Sequence, residues 1–106
     1  MGNFTIVIHG GAGTILKSDM TPELEQAYLK GLEEALDTGY GVLEQGGSAV
    51  NAVKAALVIL EDNILFNAAR GSVFTKKGVQ EMDAAIMDGK TLAAGAITGV
   101  RNVRNP

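Results

Sequence analysis

The chain opens with a short apolar run that stops at a cluster of glycines. Residues 5–8 (Thr-Ile-Val-Ile) are all β-branched, and His9-Gly10-Gly11-Ala12-Gly13 follows directly. A β-branched run of this length, bounded by glycines, is typical of a strand buried inside a sheet. The pattern therefore predicts a strand over 5–8 that runs into a glycine loop over 9–13.

Two stretches with helical periodicity come next. Thr21-Pro22-Glu23 combines a capping hydroxyl, a proline suited to the first helical position and an acid favoured near a helix N-terminus. This predicts a helix from Thr21 to the glycines at 46–47, and Ser48 is placed to cap a second one. Their apolar stripes are Leu24, Tyr28, Leu32, Ala35, Gly39 and Leu43 in the first, and Val50, Val53, Leu57 and Leu60 in the second. We expect two amphipathic helices that pair antiparallel.

The rest of the chain predicts a polar loop and further strands. Residues 61–71 break the helical pattern, and the Asp88-Gly89 pair is typical of a hairpin turn. The predicted strands are 72–75, 82–87 and 91–100. With 5–8 they give an α+β fold: about one sheet of four strands, with two helices on one face.

Such a sheet has a second face to cover. The alanines and glycine at Ala84, Ala85 and Ala93–Ala96 suit close packing of another layer, yet nothing else in the chain can supply one. We expect residues 1–106 to be part of a single domain, or to need a partner chain.

Composition narrows the possible partners. The net charge is −3, so the chain lacks the basic surface that nucleic acids or anionic membranes attract. There is no cysteine and only one histidine, so a bound metal would need oxygen ligands. The opening residues do not resemble a signal peptide, and no apolar run is long enough to cross a membrane. We expect a cytoplasmic setting.

The glycine loop after the first strand is the first candidate for chemistry. Backbone N–H groups in such a loop suit a developing oxyanion or a phosphate, although it could also be only a tight packed turn. It lacks the third glycine of a dinucleotide fingerprint and the Gly-Lys-Ser/Thr end of a Walker loop. It resembles the oxyanion loop of lipase-type α/β-hydrolases, but their Gly-x-Ser-x-Gly elbow is absent. His9 is either a general base or, more simply, a hydrogen-bonded residue closing the strand.

Three further polar features each allow a structural and a chemical role. Asn67 is either a turn former or an amide that donates one hydrogen bond and accepts another at a reaction centre. Glu81, Asp83 and Asp88 could form a carboxylate pair or a hard-cation site, or serve a strand edge and a turn. Cleavage at Gly13-Thr14 would expose a threonine amine, but one strand is too little structure to strain that bond.

Taken in order, these motifs resemble plant-type L-asparaginase/isoaspartyl peptidase, and the resemblance covers nearly the whole chain. The residues that carry it are His9-Gly10-Gly11-Ala12-Gly13, Phe66-Asn67-Ala68-Ala69-Arg70-Gly71-Ser72-Val73, Glu81-Met82-Asp83-Ala84, Ile86-Met87-Asp88-Gly89, Gly95-Ala96 and Asn105-Pro106.

The resemblance implies an N-terminal-nucleophile hydrolase, an αββα sandwich whose precursor cleaves itself into α and β subunits. This chain would be the first part of the α subunit. The threonine that begins the β subunit is nucleophile and base in that family, which hydrolyses L-asparagine and β-aspartyl dipeptides. Nucleophile, oxyanion hole and substrate clamp would all lie after Pro106, so the chain alone should be inactive. The complete enzyme would be a dimer of αβ units.

Some roles carry over to residues in this chain. The resemblance gives Gly10 and Gly11 a positioning role beside the nucleophile, and it places Asn67 where it helps to hold the threonine. It also implies a sodium ion bound by backbone carbonyls of Leu60, Glu61, Asn63, Phe66, Ala68 and Arg70. No organic cofactor is expected. The family usually has glycine where Ala69 stands, and a positive φ there would strain an alanine by about 1 kcal/mol or more.

One alternative function, which is not enzymatic, remains. The chain could be a non-catalytic interaction module that recruits a partner through an exposed apolar sheet face.

Overall fold

The computed structural model describes residues 2–106 and shows an α+β chain with two helices and one small sheet. Helix α1 spans Pro22–Glu44 and helix α2 spans Ala49–Asp62. Strands β1 (Met82–Met87) and β2 (Ala94–Val100) form a two-stranded antiparallel sheet. Single 3₁₀ turns lie at Lys17–Asp19 and Ala69–Gly71. Within residues 2–106, no helix is both long and apolar enough to cross a membrane.

Both helices begin where their capping residues predict. The Thr21 hydroxyl accepts a hydrogen bond from the Leu24 backbone N–H at 3.1 Å, and the Ser48 hydroxyl accepts one from Asn51 at 3.1 Å. Each side chain satisfies a first-turn donor that has no partner inside the helix. The predicted helix starts are confirmed.

The two helices pack antiparallel at very close range. A Cβ added to Gly39 would lie 3.0 Å from the Ala52 carbonyl oxygen and 3.1 Å from the Ala56 Cβ, so the backbones nearly touch there. The apolar stripe predicted for α2 is wrong at two positions, because Val53 and Leu57 are 44% and 43% exposed. Where α2 passes Gly39 only its alanines are small enough to face α1, which leaves Val53 and Leu57 on another face of α2.

The hydrophobic core is small and lies where the helices meet the following loop. Ala35, Leu60 and Phe66 are buried there, and the Phe66 ring meets the Tyr28 ring edge-on at a centroid distance of 5.8 Å. Aromatic rings favour this edge-to-face geometry. The core thus holds the start of the 66–71 segment against both helices.

Strand β1 agrees with its prediction, whereas β2 begins three residues later than predicted. The turn extends to Ala93, whose carbonyl accepts a hydrogen bond from Asp88 N at 2.9 Å, and Leu92 has a φ of 61°. The left-handed residue keeps the chain in the turn, so pairing starts only at Ala94. The hairpin signal at Asp88-Gly89 is confirmed.

A β-bulge interrupts the sheet near its far end. Met82 pairs with Val100 and Ala84 with Ile97, so two residues of β2 lie opposite Asp83. The second of them, Gly99, has a φ of 62°. The Asp83 Oδ1 accepts hydrogen bonds from the Thr98 hydroxyl at 2.7 Å and from Gly99 N at 2.8 Å. These bonds hold the pKa of Asp83 below its usual value.

Two predicted strands do not form, so the prediction of a four-stranded sheet is wrong. Residues 5–8 lack any strand partner among the described residues, although the side chains of 4–8 alternate between half-buried and exposed. Residues 72–75 contribute only an isolated bridge between Phe74 and Gln80. A strand needs a neighbouring strand for its backbone hydrogen bonds. Residues 5–8 have no such neighbour among the described residues, and residues 72–75 have only the single bridge.

Candidate functional site

The glycine loop and the 66–71 segment, predicted separately, lie side by side. A Cβ at Gly10 would lie 2.8 Å from Leu32 Cδ2 and 3.5 Å from Phe66 Cε1. Gly11 has a φ of 128°, which a residue with a side chain rarely adopts. The glycine loop therefore packs against the residue that precedes Asn67.

Asn67 is exposed, and its side chain fixes the course of the loop. Its Oδ1 accepts a hydrogen bond from the Val73 backbone N–H at 3.0 Å, across six residues. Among residues 2–106, the Asn67 side-chain NH₂ has no hydrogen-bond acceptor, so it can donate to another group. Both sequence interpretations of Asn67 keep a structural basis: it is a turn former with an unused donor.

The segment of the predicted sodium ligands begins in the last turn of α2 and continues as a series of tight turns. The carbonyl of Leu60 accepts a hydrogen bond from Asn63 N, that of Phe66 from Ala68 N, and that of Ala68 from Gly71 N, at 3.3, 2.8 and 3.0 Å. A carbonyl has two lone pairs, so each of these oxygens can still face a cation. The donor set is neutral backbone oxygen, which suits a hard monovalent ion.

Ala69 stands at the conformation that normally requires glycine. Its φ is 44°, and the residue is buried. Gly71, two residues later, is needed for a different reason, because a Cβ there would clash with the Phe66 and Ile64 carbonyl oxygens. The loop thus keeps its course with alanine at 69, at the cost of backbone strain of about 1 kcal/mol. Alanine at position 69 therefore does not prevent the loop from taking this conformation.

The side chain of Glu61 is a feature of this region that no sequence motif indicates. The residue is only 6% exposed, and its Oε2 is buried without a hydrogen-bond partner. Burial, followed by the neighbouring Asp62 charge, raises the pKa of Glu61 above its usual value. The one available signal was its place next to Leu60, at the end of an apolar helix face.

The predicted carboxylate cluster does not assemble. Glu81 pairs with Arg101, Asp83 caps the bulge, and Asp88 accepts a hydrogen bond from Lys90 N at 3.0 Å within the turn. Across residues 2–106, no group of three His, Cys, Asp or Glu side chains is placed to hold a metal ion. His9 and Thr14 are both exposed, and no hydrogen bond engages either side chain within the described chain.

An apolar groove separates α2 from the sheet. One cavity of about 300 Å³ lies between the 6–9 segment, α2 and β1, and Val53, Leu57 and Ile86 are among its lining residues. A second, of about 480 Å³, continues between α2 and both strands. We call this space the α2–β1 groove. It is the face of α2 on which the larger side chains remain uncovered.

The chain matches known proteins along its whole length. The family model Asparaginase_2, described as Asparaginase, matches residues 2–106. The chain is 52% identical over 101 residues to an isoaspartyl peptidase/L-asparaginase of Xenopus laevis, covering 95% of this chain and 31% of that protein. It is 46% identical over 106 residues to the isoaspartyl peptidase of Escherichia coli, covering 100% of this chain and 33% of that protein.

A third relative is named a plant-type L-asparaginase. The chain is 52% identical over 101 residues to a plant-type L-asparaginase of Pyrococcus furiosus, covering 95% of this chain and 31% of that protein. The chain thus spans about a third of the length of the curated relatives that it matches. The resemblance drawn from the His9–Gly13 and Phe66–Val73 motifs is confirmed, and the chain belongs to the Asparaginase_2 family.

Proposed function

We propose that residues 1–106 are the first part of the α subunit of an amidohydrolase that acts on L-asparagine and β-aspartyl dipeptides. The observation that carries this proposal is the identity of 46–52% with relatives of those names over 95–100% of the chain. The fold of the whole enzyme would be the αββα sandwich of N-terminal-nucleophile hydrolases. The enzyme would act in the cytoplasm as a dimer of αβ units.

The exposed surface of the chain supports an incomplete domain. Its accessible area is 7943 Å², whereas a compact protein of this mass exposes about 5,600 Å². Its radius of gyration is 15.4 Å, against about 13 Å for a compact domain of this length. The remaining polypeptide would cover the α2–β1 groove and pair with the unpartnered 5–8 segment.

The proposed chemistry needs a threonine that this chain does not supply. After autoproteolysis, the threonine hydroxyl would attack the side-chain amide carbon while its own amine takes the proton and passes it to the leaving nitrogen. Ammonia would leave from L-asparagine, and the second amino acid would leave from a β-aspartyl dipeptide. Water would then release aspartate from the ester. Gly10 and Gly11 would bring backbone close to that threonine, and the free NH₂ of Asn67 would help to hold it.

A chimera tests the proposal. This chain would replace the matched first third of the Escherichia coli isoaspartyl peptidase, and ammonia release from L-asparagine and aspartate release from a β-aspartyl dipeptide would be measured. We expect the chimera to cleave itself into two subunits and to hydrolyse both substrates. We expect no turnover from the 106-residue chain alone. A folded chimera without either activity would contradict the proposal, as would turnover by the isolated chain.

The role of Asn67 is tested in the same chimera with Asn67→Asp. The aspartate keeps an oxygen to accept from Val73 N but loses the NH₂ donor. A positioning role predicts a lower kcat with an unchanged melting temperature. A role as turn former alone predicts that kcat is unchanged. Asn3→Asp, at an exposed position far from the loop in sequence, is the matched control.

The Leu60–Arg70 loop would hold a sodium ion through the six carbonyls named above. The ion would stiffen the loop beside Asn67 and take no part in bond making. We expect NaCl to raise the melting temperature of the chimera above that in choline chloride of equal ionic strength. Gly71→Ala, which displaces the Phe66 carbonyl, should abolish the difference. Equal melting temperatures in both salts for the chimera without this substitution would exclude the site.

The α2–β1 groove also favours the second candidate, an interaction module. Sedimentation and thermal unfolding of the isolated chain distinguish the two. A monodisperse monomer with a cooperative transition would support a self-sufficient module. Aggregation or a broad transition would support an incomplete hydrolase, because the groove then lacks its cover.

A further inference from the structure

All three arginines of the chain line one cleft. Arg70, Arg101 and Arg104 surround a cavity of about 780 Å³, and none of the six lysines lines it. The cleft lies on the side of the 3₁₀ turn at Ala69–Gly71 and the residues that follow β2. It shares no lining residue with the α2–β1 groove as defined above. In a chain of net charge −3, this gathering of guanidinium groups is a local reversal of charge.

Two of the three guanidinium groups are held by acids. Arg104 pairs with Asp62 at 3.0 Å, and Arg101 pairs with Glu81. Arg70 is exposed, and no acidic side chain among residues 2–106 lies within ion-pair distance of it. Asp62 also attracts Arg70, and together with Glu81 it brings the balance in and beside the cleft to three positive charges against two negative ones. The cleft therefore has positive charge to spare, centred on Arg70.

The other walls complete a site of small-molecule size. The amide side chains of Gln80 and Asn102 lie in the lining, and Phe74 and Val79 provide an apolar wall. Gln80 is fixed by the bond that its Nε2 donates to the Ser72 carbonyl at 2.6 Å. Ligand sites typically combine a few placed polar groups with an apolar wall in a volume of 300–1,000 Å³. Arginine, unlike lysine, binds carboxylate or phosphate through two parallel hydrogen bonds.

We propose that this cleft binds a small anion bearing a carboxylate or a phosphate, and that Arg70 is the residue that engages it. Arg101 and Arg104, already held by acids, shape the cleft and add weaker attraction. The proposed sodium ligands include the Arg70 carbonyl, whereas this site uses its guanidinium. The site does not depend on the proposed hydrolase activity.

Because the chain has only three arginines, NMR can follow the site directly. The three Nε–Hε signals of ¹⁵N-labelled protein would be titrated with phosphate, L-aspartate and acetate, with NaCl holding the ionic strength constant. We expect a saturable shift of the Arg70 signal with at least one of these anions. A response to phosphate alone would identify a phosphate site, and a response to L-aspartate or acetate would identify a carboxylate site.

Variants separate recognition from general charge. Arg70→Gln should weaken binding by at least about tenfold, the loss expected for a charge-assisted hydrogen bond. Arg70→Lys keeps the charge but loses the planar fork, so it should also weaken binding. Lys77→Gln, on the turn beside the cleft and outside its lining, should leave the affinity unchanged. Equal losses for Arg70→Gln and Lys77→Gln, or shifts that never saturate, would overturn the proposal.

The same titration in the chimera shows whether the cleft survives in a complete domain. Binding there at similar affinity would support the proposal. Loss of binding in an active chimera would mean that the remaining polypeptide covers the cleft, and it would overturn the proposal while leaving the proposed hydrolase function intact. A folded but inactive chimera that still binds the anion would support the anion site and contradict the proposed hydrolase function.

Discussion

Asp62 and Arg104 join two parts of the chain that lie 42 residues apart. The Asp62 Oδ2 accepts a hydrogen bond from Arg104 Nη2 at 3.0 Å, and its Oδ1 accepts one from Asn105 Nδ2 at 3.2 Å. Asp62 ends α2, where the helix dipole disfavours a negative charge. The guanidinium compensates for that placement, so the end of the helix and the segment after β2 hold each other.

The first prediction concerns Asp62 and pH. The hydrogen bonds from Arg104 and Asn105 lower the pKa of Asp62 below its usual value of 3.8. A carboxyl whose pKa is lower in the folded state stabilises the fold above the unfolded value and loses this effect as the pH falls through the folded value. Asp62→Asn should therefore lower the unfolding midpoint in urea at pH 7, and the deficit should shrink below about pH 4. This substitution and those that follow are made in the chimera, in which the rest of the domain is present.

Asp37→Asn is the matched control, because Asp37 is an exposed residue of α1 without an ion pair within residues 2–106. Its midpoint should follow that of the unmodified chain at every pH. A deficit for Asp62→Asn that persists unchanged at pH 2 would contradict the electrostatic explanation and indicate a loss of packing instead.

Glu61, the neighbour of Asp62, should behave in the opposite way. Its pKa is raised above 4.5, so the folded state disfavours the ionised form, and stability falls as the pH rises through that region. Glu61→Gln removes the buried charge and should raise the free energy of unfolding at pH 7 by on the order of 1 kcal/mol. Below pH 4 the gain should vanish. Glu33→Gln, on the exposed face of α1, should show neither effect.

Features that depend on neighbouring residues could be predicted from the sequence. The capping hydroxyls of Thr21 and Ser48 act within three residues, so they marked both helix starts correctly. The Asp88-Gly89 turn marked the hairpin for the same reason. Features that depend on distant partners could not be predicted: residues 5–8 have strand composition but no partner among the described residues.

The candidate site also combines features that neighbouring residues determine with features that depend on distant contacts. The motif around Asn67 is visible in the sequence, whereas its approach to Gly10 depends on how Phe66 fills the space beside Leu32. Hydrophobicity ranks Val53 and Leu57 above the alanines, so the sequence pattern predicts the wrong face of α2 for the contact with α1. Backbone approach at Gly39 selects Ala52 and Ala56 for steric reasons that no local pattern contains.

Gly99 provides a prediction about the bulge alone. Its φ is 62°, and no atom lies within 4 Å of an added Cβ, so Gly99→Ala tests backbone strain without a steric clash. The substitution should destabilise the chain by about 1–2 kcal/mol in urea unfolding. Gly95→Ala, in the same strand with open space and no positive φ, should be neutral or slightly stabilising. Equal effects of the two substitutions would show that the bulge does not need a left-handed residue.

The strain at Ala69 is testable by restoring glycine. Ala69→Gly relieves a left-handed conformation that costs an alanine about 1–2 kcal/mol, but it removes a buried methyl worth about 0.8 kcal/mol. The two effects oppose each other, so the free energy of unfolding should change by less than about 1 kcal/mol. Ala35→Gly is the matched control, since Ala35 is fully buried in α1. There, lost helix propensity and the lost methyl add up to about 2 kcal/mol. If Ala69→Gly destabilised the chain as much as Ala35→Gly, the loop at 69 would carry no strain.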